Sequence, residues 1–235
     1  MNMLNNIKSI YWNYERRLKT NNECKRLGLQ FTSKSDVNEV IYKKIYTQFY
    51  DFIPDKNDVV IDVGSQYGDY SILCEKIYNV KKIIAFEPLK ENYKESIKNG
   101  KLNNCKNIII HNIALGDGNL VLGYVKSNML TILTDINDKN FKEITTFKLD
   151  DFKLKSTLLK IDVEGYEYEV LKGSEQTIKE YHPKIIIELH NIILEKICLK
   201  FLKNLGYIVK HISDVRLGYN EQKVGNFFLE YEGIK

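Results

Sequence analysis

Short apolar runs recur along this chain, with stretches of helical character between them. Val59-Val60-Ile61-Asp62-Val63-Gly64 is the first, and Lys82-Ile83-Ile84-Ala85-Phe86-Glu87 is the second. Ile108-Ile109-Ile110 opens a third that runs to about Ala114, and Leu158-Leu159-Lys160-Ile161-Asp162-Val163 follows later. Ile185-Ile186-Ile187-Glu188-Leu189-His190 is another. Runs so short, apolar at successive positions, suit strands buried on both faces. Helical character spans Asp69 to Tyr78, Lys90 to Asn103, Tyr166 to Tyr181 and Ile193 to Leu205, where Gly206 is a natural stop. Alternation of this kind means βαβ units and a parallel sheet with helices on both faces. Tyr207-Ile208-Val209 and Phe227-Phe228-Leu229 are expected to finish the sheet as an antiparallel pair.

Two segments depart from the rhythm. Residues 1–29 read as helix, since Ile7, Ile10, Tyr11, Tyr14 and Leu18 recur at spacings of three and four. The expected organisation is therefore a helical lead-in over 1–55, closed near Pro54, and an α/β domain over 56–235. The lead-in tyrosines Tyr11, Tyr14, Tyr42, Tyr46 and Tyr50 could cover a ligand or meet another subunit, and a homo-oligomer is an open expectation. Residues 116–150 read as an insertion, with strands at Leu120-Val121-Leu122 and Thr145–Leu149 around a polar loop from Ser127 to Asn140. Its position suits acceptor recognition.

Charge narrows the partners. Of 235 residues, 35 are Lys or Arg and 31 are Asp or Glu, a net charge of only +4. No basic patch or basic tail points to nucleic acid, and no apolar run is long enough to span a membrane. Cys24, Cys74, Cys105 and Cys198 form no C-x-x-C pair, which suits free thiols in a reducing compartment. Residues 1–25 lack the apolar core of a signal peptide, so a cytoplasmic location is expected.

The glycine loop Asp62-Val63-Gly64-Ser65-Gln66-Tyr67-Gly68 stands where the first strand gives way to a helix. Ligands of open α/β sheets bind at that end of the strands. The loop lacks both G-x-G-x-x-G and the G-x-x-x-x-G-K-[ST] of a P-loop. An acid at Asp62 suits a ligand carrying an ammonium group. Glu87 lies 23 residues after Gly64 at the next strand tip, where an acid can bind ribose hydroxyls. An ammonium and a ribose together describe S-adenosyl-L-methionine. A nicotinamide-dependent oxidoreductase would use Glu87 equally well but lacks its glycine pattern here. A catalytically silent binding module is the other alternative.

These residues also carry a resemblance. Ile61–Gly64 with Gly68, Ala85–Pro88, Ala114–Asp117, Leu149-Asp150, Leu159–Glu167 and Ile187–His190 occur in this order. In that pattern the chain resembles the FkbM-type S-adenosylmethionine-dependent methyltransferases over about residues 58 to 191. The resemblance implies a class I methyltransferase fold, a Rossmann-like seven-stranded sheet with its last strand antiparallel. It implies O-methyl transfer to a sugar hydroxyl, on a nucleotide-activated sugar or a surface polysaccharide or glycolipid precursor. By position, Asp62, Gly64, Ser65, Gln66 and Gly68 would form the cofactor loop and Glu87 with Pro88 the ribose clamp. Asn112, Ala114 and Leu115 would border the adenine.

Asp162, Glu164, Glu188 and His190 project from two strand tips and can converge for catalysis. An alcohol near water's pKa of about 15.7 is a poor match for an imidazole near about 6.5. His190 would therefore have to act as a concerted base. Alternatively, Asp162, Glu188 and His190 could hold Mg²⁺, Mn²⁺ or Fe²⁺, which would acidify the hydroxyl. Glu164 could instead cap the following helix, and Glu167 is expected to be solvated there. His111, His182 and His211 are expected to be structural or at the surface.

Overall fold

The computed structural model describes residue 15 and residues 17–32, 38–126, 129–132, 141–217 and 223–233; for residues 120–143 and 214–224 it describes no side chains. Ile7, Ile10, Tyr11, Tyr14 and most of the polar loop at 127–140 lie outside the described residues. Helix α1 covers residues 17–27.

The main sheet is seven-stranded. Its parallel strands are β1 (Val59–Val63), β2 (Lys82–Phe86), β3 (Ile108–His111), β8 (Leu158–Ile161) and β9 (Lys184–Leu189). The two final strands are β10 (Tyr207–Leu217) and β11 (Lys223–Tyr231). The order is β10-β11-β9-β8-β1-β2-β3, with β11 antiparallel to both neighbours. The expected class I methyltransferase sheet is present. Its last strand is the antiparallel one, inserted between β9 and β10.

Both faces are covered, as the unbroken apolar runs require. Ile61, Val63, Ile161 and Ile187 face one core with Val170, Leu171, Ile178, Cys198 and Leu202. These last come from α4 (Glu167–Lys172), α5 (Glu175–Tyr181) and α6 (Ile192–Asn204). Val60, Leu158, Ile186 and Phe228 face the other core. There they meet Tyr70, Ile72 and Leu73 of α2 (Asp69–Lys76) and the lead-in residues Leu29, Ile41, Ile45, Tyr46 and Phe52. The lead-in thus forms part of the second layer. Helix α3 (Lys90–Leu102) packs against β3 and α2.

Three local outcomes differ from the sequence expectation. The third strand stops at His111, because Asn112 turns its side-chain amide onto the carbonyls of Glu87 (2.8 Å) and Pro88 (3.0 Å). Beyond Ile113, β4 (Ala114–Leu115) pairs instead with β7 (Phe141–Phe147). With β5 (Leu120–Lys126) and β6 (Met129–Ile132) they make a separate sheet, in the order β4-β7-β5-β6. Finally, the helix expected over 166–181 is broken between α4 and α5. A side chain at Gly173 would strike the Gly116 carbonyl, and Ser174 donates its hydroxyl to Val170 O at 2.7 Å.

Asp150 restarts that helix from outside. Its carboxylate accepts from the Gln176 N–H (3.1 Å), the Thr177 N–H (2.8 Å) and the Thr177 hydroxyl (2.8 Å). Loss of a cap typically costs about 0.5–2 kcal/mol. Asp150→Ala is expected to lower the urea unfolding midpoint by the equivalent of about 1–2 kcal/mol, with the slope of the transition unchanged.

Candidate active site

The carboxyl ends of β1, β2, β8 and β9 open on a cavity of about 250 Å³. Gly64, Ser65, Gln66, Glu87, Pro88, Ala114 and Leu115 line it, together with Asp162, Glu164 and Glu188. The cavity therefore brings together most of the residues singled out in the sequence. Asp62, Gly68, Asn112 and His190 are not among its lining residues. The first three brace the walls, and His190 stands behind the acids that line it.

Gly64 lets the loop approach its neighbour. It has φ 77°, and a β-carbon there would collide with the backbone carbonyl of Asp162. The next N–H groups are spoken for, since those of Gly64 and Ser65 both donate to Phe86 O, at 3.0 and 3.1 Å. Gln66 also has a positive φ of 46°, and its N–H points at Glu87 Oε2 at 2.9 Å. Glu87 Oε1 accepts from the Leu89 N–H (2.9 Å) and the Asn92 amide (3.3 Å). This acid is 4% exposed, and burial raises its pKa to about 7 despite these donors. A carboxylate so oriented, at the tip of β2, fits a ribose diol.

Asp62 has a different role from the one its position suggests. It is fully buried. Ser71 donates its hydroxyl to one oxygen at 2.7 Å, and Lys160 Nζ lies 3.1 Å from the other. The two residues are register partners on β1 and β8. Lys160 also donates to Gly64 O (2.8 Å) and approaches Val63 O (3.4 Å). Burial would lower the lysine's pKa, but the charges of Asp62 and Asp162 raise it above the usual 10.5. The lysine therefore stays charged and ties the strand ends to the loop.

The roof comes from the lead-in. Glu39, Val40, Ile45 and Tyr46 line the cavity. Tyr46 donates its hydroxyl to Asp162 Oδ2 at 2.6 Å and lies 3.4 Å from Glu188 Oε2. Its ring covers Lys160 Nζ at 5.2 Å and meets Tyr70 edge-on. Burial and the charges of Asp162 and Glu188 push its pKa well above 10, so it remains a donor.

His190 sits at the acidic end, with its side chain 18% exposed. Nδ1 is 2.8 Å from Glu167 Oε1, while Nε2 faces Glu164 (3.3 Å), Asp162 (3.7 Å) and Glu188 (4.0 Å). Burial works against a charged ring, but the hydrogen bonds to Glu164 and Glu167 and the charges of Glu167 and Asp162 outweigh it. The pKa rises well above 6.5. Glu167 is not solvated as expected; it is fully buried and also accepts the Gly165 N–H at 2.9 Å. Nor does Glu164 cap α4 through its side chain. Instead it adopts a positive φ of 55° that turns it toward His190. Asp162, Glu164 and His190 each offer an atom within 4.8 Å of the others, a donor set that fits a hard divalent cation. Glu188, expected as a ligand, lies at the margin beside Tyr46.

Sequence reasoning named Tyr46 only as one of five lead-in tyrosines that could cover a ligand, and it did not single out Lys160 or Asp69, all three of which line the cavity. A lone lysine within an apolar strand was the available signal for a buried ion pair. His111, His182 and His211 stack on Phe86, Tyr231 and Phe49, and none of them lines this cavity.

The sequence matches the family described as the methyltransferase FkbM domain over residues 62–215. The chain belongs to that family. Methyltransferase 1 of Beauveria bassiana (strain ARSEF 2860) is 25% identical over 181 residues, covering 64% of this chain and 73% of the relative. Methyltransferase sdnD of Sordaria araneosa is 26% identical over 208 residues, covering 71% and 80%. The crystal structure of methyltransferase FkbM from Methylobacillus flagellatus KT superposes with a TM-score of 0.54 at 19% identity. That match covers 80% of this chain and only 47% of the solved one, so this chain spans about half its length. It supports the fold. Among the described residues no helix is long and apolar enough to cross a membrane.

Ionisation of the site sets an expected pH dependence. Asp69 and Glu87 have ordinary values of 3.8 and 4.5, and burial raises both to about 7. A carboxyl raised on folding takes up a proton on folding. Its stabilising contribution is full below the ordinary value and is lost as pH rises through the folded one. His190, raised from 6.5, adds a loss in the same direction at higher pH. The ligand-free protein is therefore expected to lose Tm as pH rises through about 7, and Asp69→Asn should flatten that decline in thermal melts.

Proposed function

We propose that this protein transfers a methyl group from S-adenosyl-L-methionine to a hydroxyl, and that the acceptor is a sugar. The observation that carries this reading is the position of the cluster. Asp162, Glu164 and His190 stand on strand tips beside the cavity whose other end presents Glu87. Gly64, Gln66 and Glu87 would hold the adenosine end, with Ala114 and Leu115 against the base. When bound, the cofactor supplies a methyl group on a positively charged sulfur. The chain must then position the acceptor oxygen and receive its proton.

His190 is held for that task. Glu167 fixes Nδ1, and Nε2 is turned to Glu164, Asp162 and Glu188, three acids that line the cavity. Protonated, the ring orients a hydroxyl by donating to it; deprotonated, it can receive the proton. The surplus of carboxylates around it is what favours the proton. The same surplus would favour a divalent ion on Asp162, Glu164 and His190, which would acidify and orient the hydroxyl. The buried Glu167 then plays the part that carboxylates play behind metal-bound imidazoles.

The lining bears on the acceptor. Glu39, Asp69, Glu87, Asp162, Glu164 and Glu188 face the cavity, against Lys160 among the described residues. That excess of negative charge supports a neutral sugar over an acceptor carrying a diphosphate, which would meet repulsion unless a cation intervened.

A methyl-transfer screen on neutral sugars, glycosides and nucleotide sugars tests the reading. With an accepted substrate, His190→Ala should retain cofactor binding by calorimetry while turnover falls roughly 10²–10⁴-fold. Chelator treatment separates the two forms of the site: loss of activity with recovery on Mg²⁺, Mn²⁺ or Fe²⁺ is expected if a metal serves, and undiminished turnover excludes it.

A further inference from the structure

We infer that Asp69 is the carboxylate that meets the ammonium group of the cofactor's amino-acid end. The inference rests on the reading that this cavity holds S-adenosyl-L-methionine. It assigns the ammonium to a residue outside the strand-end acids that sequence pattern favours.

Asp62 is poorly placed for the role. It is fully buried, absent from the cavity lining, and engaged at both oxygens by Ser71 and Lys160. A ligand would have to displace a buried lysine to reach it. The carboxylates that do line the cavity are mostly matched already. Glu87 receives three N–H groups. Asp162 is held by Tyr46 and faces His190, Glu164 also faces His190, and Glu39 pairs with Lys43. Glu188 stands between Tyr46 and His190.

Asp69 differs from all of these. It follows the glycine loop as the first residue of α2 and is 5% exposed, yet it lines the cavity. One oxygen accepts the Tyr70 N–H at 3.0 Å. No cation lies within ion-pair distance of it among the described residues. Lys160 acts on it only from a distance, and the charge of Asp62 opposes its ionisation. A buried carboxylate at a cavity wall without a cation of its own is costly to ionise. A ligand ammonium seated against it removes that cost, and ammonium binding and ionisation of Asp69 then reinforce each other. Lys160, already neutralised by Asp62, leaves this negative charge available.

The test compares cofactor fragments on the full chain and its Asp69→Asn variant, which retains the side-chain volume and an oxygen for the Tyr70 N–H. Binding is measured by calorimetry for S-adenosylmethionine, S-adenosylhomocysteine, decarboxylated S-adenosylmethionine and 5′-methylthioadenosine. The first three keep the ammonium; the last lacks the whole amino-acid end. Asp69→Asn is expected to weaken the first three roughly ten- to hundredfold, as for a lost hydrogen bond to a charged group. It should leave 5′-methylthioadenosine unchanged. Unaltered affinity for the ammonium-bearing ligands, tighter binding, or equal weakening of all four would overturn the assignment. If the unaltered chain binds none of the four, the cofactor reading itself fails, and this assignment with it. That outcome is distinct from wild-type binding that Asp69→Asn leaves intact.

Discussion

The site is built around one buried cation. Lys160 sits on β8 beside Asp62 on β1, and both side chains are removed from water. Such a pair adds little net stability compared with an apolar pair of the same volume, because both charges are desolvated. Its value here is geometric. The ammonium also reaches the carbonyls of Gly64 and Val63, so the strand ends and the glycine loop share one tether. Loss of either partner would strand the other charge in the core and release the loop whose shape makes the cavity.

The lead-in extends this arrangement to the acids. Tyr46 lays its ring over Lys160 and gives its hydroxyl to Asp162, close to Glu188. One oxygen of Asp162 is thereby occupied and the other is left facing His190. On the far side of that ring Glu167 performs the matching function. Two residues from separate layers, a tyrosine from the lead-in and a glutamate from α4, thus fix the rotamers of an acid and an imidazole between them. A segment outside the family match is structurally part of the site.

The strands were legible because a strand buried on both faces must be apolar at every position, and that pattern is local. Glu87 and the cluster from Asp162 to His190 were legible for a related reason: polar residues ending such runs have only the sheet rim to occupy. What escaped depends on tertiary neighbours. Asp62 looks like a ligand until Lys160 is placed beside it. Glu167 reads as a solvated helical residue until His190 arrives from the next strand. The break at Gly173 depends on a carbonyl 57 positions earlier in the chain, that of Gly116. The departure of the chain after His111 depends on an asparagine finding the carbonyls of Glu87 and Pro88. None of these partners is close in sequence.

The position of β11 has a consequence for how the molecule comes into being. Among the described residues, strand β10 pairs with the sheet only through β11, which follows it in the chain. While the polypeptide emerges from the ribosome, β10 has no edge to join, and β9 keeps an open, apolar rim. The sheet is sealed only by its latest-made strand, which slides between two earlier ones. Until β11 is in place, the unpaired backbone groups along β9 are open to any other strand that can pair with them.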